Sequence, residues 1–277
     1  MDGGRAVREG SECAAQALDP SLAARAVGYN DVVRAAALLS IFTVTLAGQA
    51  PVRIAYECSP EDIDAFGLTC TEEEPCPVFL ELASAEAAGG RLFVTGNLHT
   101  RNATLFGILL ASEDGGTTWT EPQARIRSGA LEQIEFLDLQ TGWVSGESID
   151  PLARNAFLLL TGDGGKTWRQ RLLSEDAKYG IIAQFHFDSK TSGELVLDAS
   201  QGKTTRQELY GTMTGGESWE LKQTSNTPLR LKNARNPAQA TWRVRADAAS
   251  DAYRLERGGG RAWETVTSFA IHVADCK

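Results

Sequence analysis

The residues best spaced to do chemistry are two short runs, SEDGGTTW from Ser112 to Trp119 and TGDGGKTW from Thr161 to Trp168. Both fit S/T-x-D-x-G-x-T-W. An aspartate flanked by hydroxyls, as Asp114 is by Ser112 and Thr118 and Asp163 by Thr161 and Thr167, could hold a metal or move a proton. The same residues also explain themselves as a turn. Gly116 and Gly165 permit the positive φ of a tight hairpin. The aspartate accepts turn amides that would otherwise go unpaired, and the hydroxyl does similar work. Trp119 and Trp168 then fill a core. Two weaker copies favour the turn. TMTGGESW, Thr212 to Trp219, keeps Gly216 and puts Thr214 where the aspartate stood. ERGGGRAW, Glu256 to Trp263, keeps Gly260 and Trp263 alone. A catalytic or metal-binding aspartate would not be lost from half of its repeats, so the expected role is a staple on a hairpin.

Elsewhere no catalytic pattern emerges. The chain contains no Gly-x-Ser-x-Gly elbow, P-loop or HExxH. His99, His186 and His272 stand apart in sequence. A glycosidase needs two facing carboxylates, and the many acids single out no pair. Glu72-Glu73-Glu74 reads as a solvated loop, with calcium the alternative. Asn102-Ala103-Thr104 is a glycosylation sequon, of consequence only in a host that glycosylates. No catalytic residue, metal ligand or cofactor is expected.

The cysteines point to an oxidising compartment. Cys13 lies in the leader described below. The other four, Cys58, Cys70, Cys76 and Cys276, suggest two disulfides, for which three pairings exist. Cys70 and Cys76 enclose only TEEEP, so a local loop would leave Cys58 to join Cys276. A zinc site lacks both spacing and a nearby histidine. Residues 35–47, AAALLSIFTVTLA, follow Arg34 and precede the small residues Gly48 and Ala50. That is the pattern of a secretory signal, too short for an ordinary spanning helix. Residues 1–50 therefore read as a leader and 51–277 as the folded domain, exported to a periplasm or the outside. The thirty or so residues before Arg34 suggest a start nearer Val32 or Val33. The alternatives are a buried helix or a retained membrane anchor.

Four tryptophans end the four runs, 49, 51 and 44 residues apart, the period of one four-stranded propeller blade. Each run follows an apolar strand-like segment: FGILLA, AFLLL, QELYG and DAYRL. Further upstream, IEFLDLQTGWVSG at 134–146 matches FHFDSKTSGELVL at 185–197. The expected fold is all-β, a small β-propeller of about four four-stranded blades at 78–125, 130–175, 180–225 and 228–270. An open or irregular stack of blades is the alternative.

These runs resemble Asp-box repeats, also called bacterial neuraminidase repeats. GWVSG and LLLTGDGGKTWRQ are most similar to the photosystem II assembly-factor group and its bacterial relatives. The resemblance spans about residues 78–270 and implies a fold more than an activity. Those relatives and the sialidases usually have six or seven blades, against four here. A sialidase also needs an arginine triad and a Tyr/Glu nucleophile pair. Arg53-Ile54 lacks that signature's proline, and Tyr56 and Tyr253 have no recognisable partner.

The net charge of -9 and pI near 5.0 argue against nucleic acid, and no Lys/Arg stripe stands out to reverse them. The expected function is an exported, non-enzymatic binding or assembly module whose partner is another protein. A carbohydrate-active enzyme or lectin of the sialidase type, which would bind glycan, is the first alternative. An accessory subunit of a membrane-associated complex, held by an uncleaved leader, is the second.

Overall fold

The computed structural model describes residues 50–277 except 151–152, 175–178, 235–239 and 260–261. The expected leader and Gly260 therefore lie outside the described residues. The fold is all-β apart from one short helix, α1 (Pro60–Ala65). Ser59 caps it: its Oγ accepts the Asp62 N–H, and the Asp62 carboxylate accepts the Ser59 N–H in return.

Four antiparallel sheets follow in chain order. Sheet I holds β1 (Cys76–Ala88), β2 (Arg91–His99), β3 (Thr104–Ser112) and β4 (Ile126–Arg127). Sheet II holds β5 (Gly129–Phe136), β6 (Gly142–Asp150), β7 (Ala153–Thr161) and β8 (Arg169–Leu172). Sheet III holds β9 (Ile181–Phe187), β10 (Gly193–Asp198), β11 (Gln207–Thr212) and β12 (Glu220–Ser225). Sheet IV has only β13 (Trp242–Asp247), β14 (Ala252–Gly259) and β15 (Ala262–Ala270). The last strand, β16 (His272–Cys276), leaves sheet IV and pairs with β1 of sheet I. Val52 returns the favour from the other end of the domain, bridging Phe269 in parallel on β15. The two ends thus bind sheets I and IV together. This is the architecture of a small β-propeller.

Three apolar clusters lie between neighbouring sheets, and their sequence logic is one position repeated. Leu92, Gly142 and Gly193 pair with Ser112, Thr161 and Thr212, the first residues of the repeat turns. In sheet IV, Arg243 pairs with Glu256 in the same way. The next residue along is Phe93, Trp143, Glu194 or Val244. Phe93 stacks on Phe136 of sheet II at 5.0 Å and meets Trp168 edge-on. Trp143 stacks on Phe187 of sheet III at 3.6 Å, and its Nε1 donates to the Gly215 carbonyl at 2.9 Å. Val244 joins Leu255 and Phe269 in the cluster between sheets IV and I, where Trp119 meets Phe269 at 5.0 Å. Sheet III carries the exposed Glu194 instead. Among the described residues no apolar cluster joins sheets III and IV. Burying a lone carboxylate there would cost more than an aromatic would gain.

The inner strands are also stitched by side chains. Ser84 Oγ accepts the Ile134 N–H at 3.4 Å, and at the equivalent position Gln133 Oε1 accepts the Phe185 N–H at 3.4 Å. Gln184 repeats the contact, accepting the Leu231 N–H at 3.3 Å. Two glutamates follow a parallel rule: Glu86 Oε2 accepts the Phe136 N–H and Glu135 Oε1 the Phe187 N–H, at 3.2 and 3.3 Å.

Candidate functional site

The repeat turns close on themselves. Asp114 Oδ1 accepts the N–H groups of Thr117 and Thr118 at 3.0 and 2.8 Å and the Ser112 hydroxyl at 2.8 Å. Its Oδ2 accepts the Thr118 hydroxyl at 2.7 Å. Asp163 repeats the set, with Lys166 and Thr167 N–H both at 3.0 Å, Thr161 Oγ1 at 2.9 Å and Thr167 Oγ1 at 2.7 Å. Ser112 and Thr161 oxygens also accept the Gly116 and Gly165 N–H groups. Trp119 and Trp168 each donate Nε1 to the carbonyl of that glycine at 3.1 Å. In the third turn Thr212 Oγ1 accepts the Gly216 N–H at 3.2 Å, and Thr214 Oγ1 accepts the Ser218 N–H at 3.0 Å. Trp219 meets Phe187 edge-on. In the fourth, Trp263 lies under the Arg243 guanidinium, 4.0 Å from the ring centre.

The electrostatics follow from these bonds. Hydrogen bonds from Thr118, then Ser112, hold the Asp114 carboxyl down at about 2. For Asp163, burial pushes the pKa up, but the bonds from Thr167, Thr161 and Lys166 outweigh it and leave it at about 2. A carboxylate held ionised by four donors is a structural acceptor and a poor proton carrier.

The other singled-out residues are scattered. Cys58 is bonded to Cys276, with Cα atoms 5.1 Å apart, and Cys70 to Cys76, at 5.3 Å. The Tyr56 hydroxyl donates to Asp62 at 3.2 Å. Burial and the Asp62 charge push it up to about 12, so it stays protonated. His99 contacts the Thr100 carbonyl, His186 faces Glu135 at 2.8 Å across sheets II and III, and His272 faces Asp275. Among the described residues, no group of three or more His, Cys, Asp and Glu could hold a metal ion. A cavity of about 370 Å³ opens between the inner strands, beside Ser84, Glu132, Gln133 and Ile182. Burial, then the charges of Glu81 and Glu147, raise the Glu132 pKa there.

Two features escaped the reading of the sequence. One is the pattern of charge. Residues 229–263 hold eight of the 27 basic residues and only three of the 36 acidic ones. Among the described residues, Arg243 and Arg245 lie on β13 and Arg254 and Arg257 on β14, each spaced by other residues, so they form no run. The other is the make-up of sheet IV. Sheet IV has three strands among the described residues, where the blade expected at 228–270 called for four. Leu231 is buried and its N–H donates to Gln184 of β9, as that of Phe185 does to Gln133 of β5, and the Leu229 N–H donates to Gln207 at 2.6 Å. Strand β13 is left half-exposed, whereas its counterpart β2 is buried along nearly its whole length.

Comparison with known proteins adds little beyond these features. No protein-family model matches the chain, and no curated protein matches it. Among solved structures, it resembles one described as YCF48 bound to D1 peptide, with 17% identity and a TM-score of 0.36. The match covers 77% of this chain and 58% of that one, so the chain spans less than two thirds of that structure.

Proposed function

We propose that this chain is an exported, non-enzymatic Asp-box propeller that holds another protein. The observation carrying the reading is the uneven charge along the sequence, with eight basic against three acidic residues over 229–263 in a chain of net charge -9. Charge asymmetry of this kind steers a charged macromolecule to one face and repels it from the rest. Two further observations support it. The aspartates of the repeat turns each accept four hydrogen bonds from amides and hydroxyls of their own turn, which ties them to the hairpin. The two disulfides suit an oxidising compartment.

Affinity purification of the tagged protein from its own cell envelope tests the reading, alongside a fluorogenic glycoside screen and a glycan array. One protein recovered reproducibly, with no turnover, is the expected result. Robust glycoside turnover would overturn it in favour of a sialidase-type enzyme, and selective glycan binding in favour of a lectin. Amino-terminal sequencing of the mature protein should start near Pro51. An intact leader would argue instead for an accessory subunit of a membrane complex.

A further inference from the structure

We infer that Cys76 is a thiol–disulfide exchange site. A dithiol reductant entering the cavity beside it opens the Cys70–Cys76 bond, and the freed Cys76 then takes Cys276 from Cys58. This goes beyond the protein-binding reading above and stands whatever macromolecule the propeller holds.

The placement of the cysteines supplies the first half of the argument. All four belong to, or pack against, the apolar cluster shared by sheets I and IV. Cys76 opens β1 and Cys276 closes β16, and the ladder sets the two directly opposite, with Pro77 on Asp275 and Val78 on Ala274 beyond them. Residues directly opposite in an antiparallel pair have Cα atoms about 4.5–5.5 Å apart and side chains on one face. A disulfide spans about 4.4–6.8 Å between Cα atoms. Cys276 therefore has two cysteines within bonding range. One is its present partner Cys58, with Cα atoms 5.1 Å apart, and the other is Cys76.

Access supplies the second half. Cys276 is wholly buried. Cys76 lines a cavity of about 270 Å³ whose wall includes Phe66, Leu68 and the exposed Pro75 and Arg101. The residues between Cys70 and Cys76 are all exposed. A thiol from outside thus meets Cys76 before it can meet Cys276.

The chemistry balances in two stages. The reductant's first thiolate attacks the Cys76 sulfur and expels Cys70, which takes up a proton. Its second thiolate attacks the first sulfur in that mixed disulfide, so the reductant leaves as a disulfide and Cys76 is released as a thiolate. Two electrons have then passed to the Cys70–Cys76 pair. The second stage is redox-neutral. Cys76 attacks the Cys276 sulfur, the Cys58–Cys276 bond breaks, and Cys58 leaves as a thiolate that takes up a proton. The loop closed through Cys276 stays about as long, so chain entropy does not oppose the move. Both original bonds anchor the segment ahead of β1, which carries α1, whereas the new bond joins only β1 to β16. Reduction therefore unlatches that segment and leaves β16 clamped to sheet I.

The test treats the oxidised mature chain with one equivalent of dithiothreitol, traps thiols with N-ethylmaleimide at low pH, and maps the bonds by mass spectrometry. A Cys76–Cys276 peptide should appear, with Cys58 and Cys70 alkylated, and a glutamate-specific protease should cut at Glu61 at least tenfold faster. Cys70→Ser leaves Cys76 a free thiol, so it should carry the Cys76–Cys276 bond in at least a tenth of its chains with no reductant added. Cys76→Ser removes the attacking sulfur, and its Cys58 should be freed at least tenfold more slowly than in wild type. Cys58–Cys276 intact throughout Cys70→Ser would overturn the proposal. So would Cys58 freed equally fast in Cys76→Ser, which would mean direct attack on the long bond, or Cys58–Cys70 as the one new bond. Circular dichroism melts check that each variant folds, and the wild-type trapping decides the matter if one does not.

Discussion

Asp114 and Asp163 each accept four hydrogen bonds from their own turn, and this sets how the protein should respond to acid. Their folded pKa values, about 2, lie below the ordinary carboxylate value of about 4. A carboxylate depressed by folding stabilises fully above its unfolded pKa and loses that contribution as pH falls through its folded pKa. Stability should therefore drop between about pH 4 and about pH 2. Urea titrations across that window should show a shallower drop for Asp163→Asn, from a lower midpoint at neutral pH. Glu132 has the opposite sign. Its pKa is raised by burial and by Glu81 and Glu147, so its ionisation works against the fold. Glu132→Gln should raise the urea midpoint at pH 7 and leave it unchanged at pH 4. The turn residues were legible in the sequence because every partner lies within about five positions. The stitching by Ser84, Gln133 and Gln184 was not. Each partner lies about fifty residues away, and a serine and a glutamine share no motif.

Among elements, the hairpin turns are the stiffest test of the fold. Gly115 and Gly165 both have positive φ, +73° and +76°, yet their surroundings differ. A Cβ on Gly115 would meet open space, while one on Gly165 would sit 2.5 Å from Phe93 Cζ in the neighbouring sheet. Gly115→Ala should cost about 1 kcal/mol of backbone strain. Gly165→Ala should cost about 3 kcal/mol, because it also wedges sheets I and II apart. Chemical denaturation of the two variants measures the difference. Trp143→Ala removes the stacked plug between sheets II and III and should cost about 3–5 kcal/mol. Strand positions followed from the apolar runs and glycines, since alternation and turn chemistry are local. The seam did not follow. Glu194 stands where the other sheets carry Phe93, Trp143 and Val244, and one exposed acid in a strand reads as an ordinary surface residue.

At the scale of the molecule, both ends of the domain tie sheets I and IV together. Val52 bridges β15, β16 pairs with β1, and Cys58 is bonded to Cys276 across a separation of 218 residues. On the chain-entropy account that bond stabilises by about 5 kcal/mol, against about 2 kcal/mol for the six-residue separation of Cys70 and Cys76. The double variant Cys58→Ser, Cys276→Ser should therefore lower the melting temperature more than Cys70→Ser, Cys76→Ser. Equal shifts in calorimetry would contradict this. The even cysteine count made two bonds readable. Their pairing followed from the short spacing of Cys70 and Cys76, which left Cys58 to Cys276, and the structure shows both bonds.

That long bond also has a mechanical meaning. A pull on the two ends of the domain would run through one covalent link whose Cα atoms are 5.1 Å apart, and the four sheets would carry no load. A protease that cut a single exposed loop between them would leave one continuous molecule. Under a reductant the same pull would reach β16 first, and unzipping that strand would part sheets I and IV before any other pair.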